Sequence, residues 1–79
     1  MAKVTVLGAG SWALALSILL SDNGHDVIIW SAVPEEIEIL RKNHENPRYL
    51  PGVTIPSKIG LSAGLEEAVA ERDVIVCAV

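Results

Sequence analysis

Short apolar runs alternate with helix-favouring segments along the chain. The first run, residues 3–7, is rich in β-branched residues, as expected of a buried strand. Residues 11–23 are dominated by Ala and Leu and predict a helix that stops at Gly24, a residue type common just after helices. A second apolar run, Asp26–Trp30, follows at once. Strand, helix and strand within about thirty residues predict a right-handed unit with two parallel strands.

The second half of the chain repeats this alternation less clearly. Pro34 opens a second predicted helix, which extends to about residue 43 with its acidic residues first and its basic residues last. Residues 46–56 contain three prolines and a glycine and predict a loop. We expect a short third strand over 58–62 and a short helix over 65–71. The final run, 74–79, is continuously apolar and predicts a fourth strand that is buried on both faces.

The first helix is apolar around almost its whole circumference. Only Ser11, Ser17 and Ser21 interrupt the apolar surface. A helix with this pattern needs burial on more than one side. One side can pack on the sheet, but this short chain offers little to cover the other.

The turn between the first strand and the first helix reads Gly8-Ala9-Gly10-Ser11-Trp12-Ala13. Gly8 permits the tight turn, Gly10 lets a phosphate approach the backbone, and the small Ala13 lets the helix pack close to the strand. The helix start offers unpaired N–H groups and the positive end of its dipole to an anion. The pattern is weak alone, but its place between strand and helix predicts a pyrophosphate site. The alternative is an ordinary turn that binds nothing.

These signals predict an α/β fold: a partial Rossmann (doubly wound) parallel sheet of strand order 3-2-1-4, truncated after strand 4. In such folds an acidic residue after the second strand binds the ribose of NAD, whereas a nearby Arg accepts the 2′-phosphate of NADP. In this chain the residues after the second strand are Ser31, Ala32 and Val33, so the sequence does not indicate whether the cofactor is NAD or NADP. Glu35 and Glu36 would mildly oppose a 2′-phosphate, although we favour stabilisation of the second helix as their role.

Composition and charge limit the number of domains, the class of partner and the cellular compartment that we expect. The chain has 79 residues, enough for one small domain, and its 51% hydrophobic content is that of a folded protein. A net charge of −4 without a basic cluster argues against a nucleic-acid partner. The apolar run 12–20 is too short to span a membrane, and no signal peptide is expected, so we expect a cytoplasmic protein. Cys77 is expected to be a buried, inert thiol, and no metal site is expected.

Three segments together resemble the N-terminus of bacterial NAD(P)-dependent glycerol-3-phosphate dehydrogenase. They are GAGSWA at 8–13, NGHDVIIW at 23–30 and ENPRYLPG at 45–52, of which the last is the most specific. The family reduces dihydroxyacetone phosphate to sn-glycerol 3-phosphate for phospholipid synthesis. The resemblance implies that residues 1–79 are the N-terminal half of a dinucleotide-binding domain whose cofactor is NAD or NADP. It also implies that the substrate domain and the catalytic lysines lie outside this chain, which would be catalytically incomplete alone.

The resemblance also implies roles for single residues. Ser11 and Trp12 align with contacts to the cofactor diphosphate, although Trp12 could equally be a core aromatic. The residues after the second strand align with adenosine-ribose contacts, where the family often has Arg or His. Tyr49 would line the cofactor cleft or anchor its loop. The expected cofactor-binding residues are Gly8, Gly10, Ser11, Trp12, Ser31, Ala32, Val33 and Tyr49. No catalytic residue is expected here, and His25 and His44 are interpreted as surface or helix-end residues.

The unguarded apolar strand at 74–79 predicts association. An exposed strand edge is a template for pairing with another chain, so we expect a homodimer or an exchanged assembly through it. Two alternatives to the oxidoreductase interpretation stay open. One is a non-catalytic dinucleotide-sensing module, which should carry an acidic residue where Ser31 stands. The other is a folded but inert half-domain.

Overall fold

The computed structural model describes residues 1–78 as one parallel sheet with helices on both faces. Its elements are β1 (Lys3–Leu7), α1 (Ser11–Asp22), β2 (Asp26–Trp30), α2 (Pro34–Asn43), β3 (Gly60–Ser62), α3 (Leu65–Val69) and β4 (Val74–Cys77). The strand order β3-β2-β1-β4 and the parallel pairing confirm the predicted sheet. β3 and α3 are shorter than predicted, and residue 79 of the predicted fourth strand lies outside the described residues.

The strand register brings the carboxyl ends of three strands to one edge of the sheet. Leu7, at the end of β1, aligns with Trp30 on one side and with Cys77 on the other. The chain then turns sharply, and the Gly8 N–H donates to the Trp30 carbonyl at 2.7 Å. The segments that follow β1 and β2 therefore lie side by side.

The core lies between the sheet and the helices α1 and α2. Its sheet side is formed by alternate residues of β1 and β2, as expected when one face is buried. The larger buried aliphatic residues of this core are Val4, Val6, Leu14, Val27, Ile29, Ile37, Leu40, Ile55 and Ile59. None of the helices among residues 1–78 is long and apolar enough to cross a bilayer.

Helix α1 buries Leu14 together with three small residues and leaves other large side chains in solvent. Ser17 and Ser21 are buried, and the Ser17 hydroxyl donates to the Ala13 carbonyl at 2.7 Å, so its burial leaves no unpaired donor. Trp12 is 66% exposed and Leu19 is 58% exposed. The interpretation of Trp12 as a core aromatic is therefore wrong. The predicted shortage of cover for this helix is confirmed within the described residues.

The prediction that β4 is buried on both faces is wrong. Val74 and Ile75 are 46% and 47% exposed, and Cys77 is an exposed free thiol rather than the buried one expected. The physical reason is that β4 pairs only with β1 among residues 1–78, while the five-residue α3 packs over β2 and β3. An apolar run indicates a strand suited to burial, but neighbouring elements decide whether it is covered.

Arg72 joins β1 to β2 at the edge opposite the carboxyl ends of the strands. Its side chain is only 7% exposed and donates to the carbonyls of Val4 (2.9 Å) and Asp26 (2.6 Å). It also donates to the Thr5 hydroxyl at 3.1 Å and to an Asp26 carboxylate oxygen at 3.3 Å. A planar guanidinium can satisfy this many acceptors at once. The sequence pattern gave no indication of this role.

Candidate dinucleotide-binding site

A cavity of about 330 Å³ opens at the carboxyl edge of the sheet. Parallel α/β sheets place their ligand sites at this edge. Six of the eight residues expected to bind a cofactor line it: Gly8, Gly10, Ser31, Ala32, Val33 and Tyr49. Ala9, Glu36 and Ala78 also line it and were not expected there. Its volume lies within the range common for small-molecule sites, roughly 300–1,000 Å³.

The glycine turn forms one wall of this cavity. Gly8 has φ +138°, a conformation that favours glycine, so this position explains the first glycine of the motif. Gly10 has an ordinary backbone (φ −79°, ψ −177°), and a Cβ built on it would meet no atom within 4 Å. Gly10 is therefore not required by the packing of the described residues. Its value lies in the open space that it leaves beside the main chain.

The first turn of α1 supplies unpaired donors next to that space. The first main-chain bond of the helix joins the Leu14 N–H to the Gly10 carbonyl at 3.0 Å. The N–H groups of Ser11, Trp12 and Ala13 precede it and have no acceptor among the described residues. Because helical N–H groups point towards the helix N-terminus, these donors face the glycine turn. The arrangement favours an anion there.

The loop over residues 46–56 forms a second wall and is fastened to the glycine turn. Asn46 is buried, and its side-chain amide donates to the Ala9 carbonyl at 3.2 Å while its carbonyl oxygen accepts from the Arg48 N–H at 3.2 Å. The Ser11 hydroxyl donates to the Tyr49 carbonyl at 2.6 Å. These contacts hold the loop against the start of α1. They also give a physical reason for the Asn in the ENPRYLPG segment.

Tyr49 lies at the cavity and is joined to the start of α1. Its main chain is fixed to Ser11, and the residue lines the cavity. The guanidinium carbon of Arg48 lies 5.4 Å from the centroid of the Tyr49 ring, within cation–π range. Arg48 itself does not line the cavity. The cation of Arg48 therefore lies against the Tyr49 ring and outside the cavity lining.

The third wall follows β2 and carries the only acidic group among the described residues that line the cavity. The buried Ser31 hydroxyl accepts from the Val33 N–H at 3.0 Å and donates to Glu36 Oε1 at 2.6 Å. Glu36 belongs to the first turn of α2, as expected, but it also reaches back to the strand end. Glu36 was not among the expected site residues, because stabilisation of α2 was favoured over its opposition to a 2′-phosphate. The five-residue spacing from the strand end is the signal that could have indicated it.

Ser11 and Trp12 lie beside the cavity and are not among its lining residues. The Ser11 hydroxyl is already engaged by Tyr49, and Trp12 projects into solvent at the start of α1. Either residue can still reach a ligand through its main-chain N–H. The two histidines lie elsewhere: His25 Nδ1 accepts from the Ala2 N–H at 3.0 Å, and His44 ends α2 in a left-handed conformation.

Residues 3–79 match the family model described as the N-terminus of NAD-dependent glycerol-3-phosphate dehydrogenase. The chain belongs to this family. It is 49% identical, over all of its 79 residues, to proteins named glycerol-3-phosphate dehydrogenase [NAD(P)+] from Bacillus cereus strain B4264 and Bacillus cytotoxicus. It spans 23% of the length of these curated relatives. The resemblance carried by the three sequence segments is thereby confirmed.

Solved structures agree with the family assignment. The glycerol-3-phosphate dehydrogenase of Coxiella burnetii superposes with a TM-score of 0.89 at 28% identity, covering 96% of this chain and 23% of that one. The Plasmodium falciparum glycerol-3-phosphate dehydrogenase superposes with a TM-score of 0.81 at 28% identity, covering 96% of this chain and 24% of that one. The chain therefore has a partial Rossmann fold, and it corresponds to the N-terminal part of the proteins of this family.

Proposed function

We propose that this chain binds NAD(H) or NADP(H) as the N-terminal half of the dinucleotide-binding domain of a glycerol-3-phosphate dehydrogenase. The observation that carries the proposal is the open glycine corner at the carboxyl edge of the sheet. There Gly10 has free space beside its main chain, and three unpaired N–H groups follow it. A diphosphate is the part of such a cofactor that this corner suits.

The other walls suit the remainder of an adenine dinucleotide. The residues after β2, Ser31 to Val33, lie where related folds bind the adenosine ribose. Tyr49 would offer an aromatic surface, and Trp12, exposed at the start of α1, would shield the diphosphate from water. The bound nicotinamide would supply the hydride. The residues of this chain would bind and orient the cofactor.

The proposed reaction of the whole protein is the reduction of dihydroxyacetone phosphate to sn-glycerol 3-phosphate, which supplies phospholipid synthesis. The relatives are named glycerol-3-phosphate dehydrogenase [NAD(P)+], and this chain spans 23% of their length. Among residues 1–78, no lysine or histidine lines the cavity. We therefore expect the 79-residue chain to bind cofactor without turning over substrate. We propose the cytoplasm as its compartment, where the exposed Cys77 would remain a free thiol.

Fluorescence titration separates this proposal from its alternatives. NADH and NADPH are added while tryptophan emission is followed, with a Trp30→Phe variant that leaves Trp12 as the sole reporter. Saturable binding of either dinucleotide without turnover of dihydroxyacetone phosphate supports the proposal. Absence of binding to the folded chain contradicts it and favours an inert half-domain. A sensing module would instead require a protein partner whose affinity changes with the dinucleotide.

A second proposal concerns assembly: the chain forms a homodimer or an exchanged assembly through the β4 edge. Support comes from the unpaired side of β4 among the described residues and from the exposure of Val74 and Ile75. Natural sheets guard such edges with charges, and β4 carries none.

Light scattering at increasing concentration tests the assembly. The wild-type chain should show a mass of two or more copies, and Ile75→Lys should shift it towards a monomer. Leu65→Lys is the matched control, because Leu65 is equally exposed, at 47%, but lies on α3 away from this edge. A wild-type monomer at high concentration, or equal effects of the two substitutions, would contradict the proposal.

A further inference from the structure

We propose that Glu36 makes this site select NAD(H) over NADP(H). The inference rests on the proposed cofactor binding and goes beyond it by assigning the choice of cofactor to one carboxylate. Glu36 lines the cavity at the end of β2, where the 2′ position of the adenosine ribose lies in related folds. No arginine or lysine lines the cavity among residues 1–78.

The carboxylate is held in place by the end of the strand. Ser31 is 3% exposed, and its hydroxyl connects the Val33 N–H (3.0 Å) to Glu36 Oε1 (2.6 Å). A short hydrogen bond to a charged acceptor fixes the Glu36 side chain in this orientation. The other oxygen, Oε2, accepts no hydrogen bond from the described residues. It can therefore accept one from a ribose hydroxyl.

This arrangement replaces the acidic residue that usually ends the second strand of NAD-binding folds. Ser31 occupies the strand end but cannot supply a carboxylate itself. Glu36, five residues later, supplies the carboxylate from the first turn of α2 and uses Ser31 as its anchor. The missing acid at the strand end is thus provided from the neighbouring helix.

A 2′-phosphate would meet repulsion at this place rather than donors. It carries close to two negative charges, and Glu36 adds a third within the same small cavity. The start of α2 offers little compensation, because Pro34 has no N–H and the Glu36 N–H already donates to the Val33 carbonyl at 3.0 Å. The nearby cation, Arg48, packs on the Tyr49 ring instead of lining the cavity.

Two substitutions separate the site charge from general charge effects. Glu36→Gln keeps an oxygen that can accept from Ser31 but removes the negative charge. Glu35→Gln removes the same charge from the preceding residue, which is exposed and does not line the cavity. Both variants keep the polar character of the first turn. Thermal unfolding of each variant checks that the fold is retained.

The experiment measures dissociation constants of NADH and NADPH for the wild-type chain and both variants. We expect the wild type to bind NADH at least about tenfold more tightly than NADPH, since a half-buried carboxylate repels the phosphate more than a solvated one would. Glu36→Gln should reduce that ratio to within about threefold, mainly by strengthening NADPH binding, whereas Glu35→Gln should change it by less than about twofold.

Equal wild-type affinities for the two cofactors would overturn the inference while leaving the proposed function intact. An unchanged ratio in Glu36→Gln, or the same change in Glu35→Gln, would also overturn it. Absence of binding by either cofactor would overturn the proposed function and this inference together. If Glu36→Gln does not fold, the inference is tested by measuring how the ratio of the NADH and NADPH dissociation constants of the wild type depends on salt concentration. The preference for NADH must then shrink as salt screens the repulsion, and a constant ratio contradicts the inference.

Discussion

Replacing Gly10 with valine should abolish dinucleotide binding while leaving the fold intact. The backbone of Gly10, with φ −79° and ψ −177°, is open to any residue, and an added Cβ would meet no protein atom within 4 Å. Gly10 precedes α1 as its N-cap, where valine is less favourable than glycine by up to about 1 kcal/mol. The variant should therefore remain folded, with a branched side chain standing where the diphosphate would lie.

The loss of affinity follows from the donors that the new side chain would block. A hydrogen bond to a charged group contributes roughly 1.5–3 kcal/mol. Blocking the N–H groups of Ser11 and Trp12 would then cost about 3–6 kcal/mol, or a loss in affinity of at least about a hundredfold. Fluorescence titration with NADH measures this loss directly. Circular dichroism verifies the fold of the variant.

Gly64→Val is the matched control. Gly64 is also an N-cap, that of α3, with an ordinary backbone (φ −100°, ψ 114°), and a Cβ there would lie 3.8 Å from the Glu67 Cβ, an ordinary contact. It is not among the lining residues of the cavity. Binding by this control should be close to that of the wild type. If folded Gly10→Val bound NADH within about threefold of the wild type, the blocked-donor reasoning would be refuted.

Two further substitutions test the contacts that hold the site and the sheet. Arg72→Met should lower the free energy of unfolding in urea by about 2–3 kcal/mol, because the Val4 and Asp26 carbonyls and the Thr5 hydroxyl each lose a hydrogen bond from a charged donor. Arg41→Met, at an exposed ion pair, should change it by less than about 0.5 kcal/mol. Equal losses of stability in the two variants would contradict the role assigned to Arg72 in joining β1 to β2. Asn46→Ala should cost about 1–2 kcal/mol by the same measurement and should weaken NADH binding, since its amide holds the loop to Ala9. Unchanged stability and affinity would show that the loop is positioned by other contacts.

The sequence predicted the sheet well because each strand carries its own local signal. Residues 3–7 and Asp26–Trp30 are apolar, β-branched and bounded by glycine or a helix start, and their ranges agree with the structure. The strand order followed from the doubly wound fold that the glycine motif between strand and helix indicates. β3 was predicted two residues too long, because Lys58 and Ile59 continue the pattern although only Gly60–Ser62 pairs with β2.

What the sequence could not predict depends on contacts between distant residues. The exposure of β4 depends on which other elements cover it, and the apolar pattern of residues 74–79 contains no information about those elements. The Arg72 contacts depend on the register of β1 and β2. The position of Glu36 depends on the turn from β2 into α2 and on the Ser31 hydroxyl. By contrast, Gly8 and Gly10 were predicted as site residues because a local motif places them at a strand end.

The claim on which the proposed function depends is that main-chain amides at the start of α1 bind the cofactor diphosphate. Amide chemical shifts of the ¹⁵N-labelled chain, recorded during titration with NADH, test it most directly. The largest changes should fall on the N–H groups of Ser11, Trp12 and Ala13, with smaller ones at Ser31 to Val33. Saturable binding that leaves Ser11, Trp12 and Ala13 unshifted and perturbs residues elsewhere would contradict the claim.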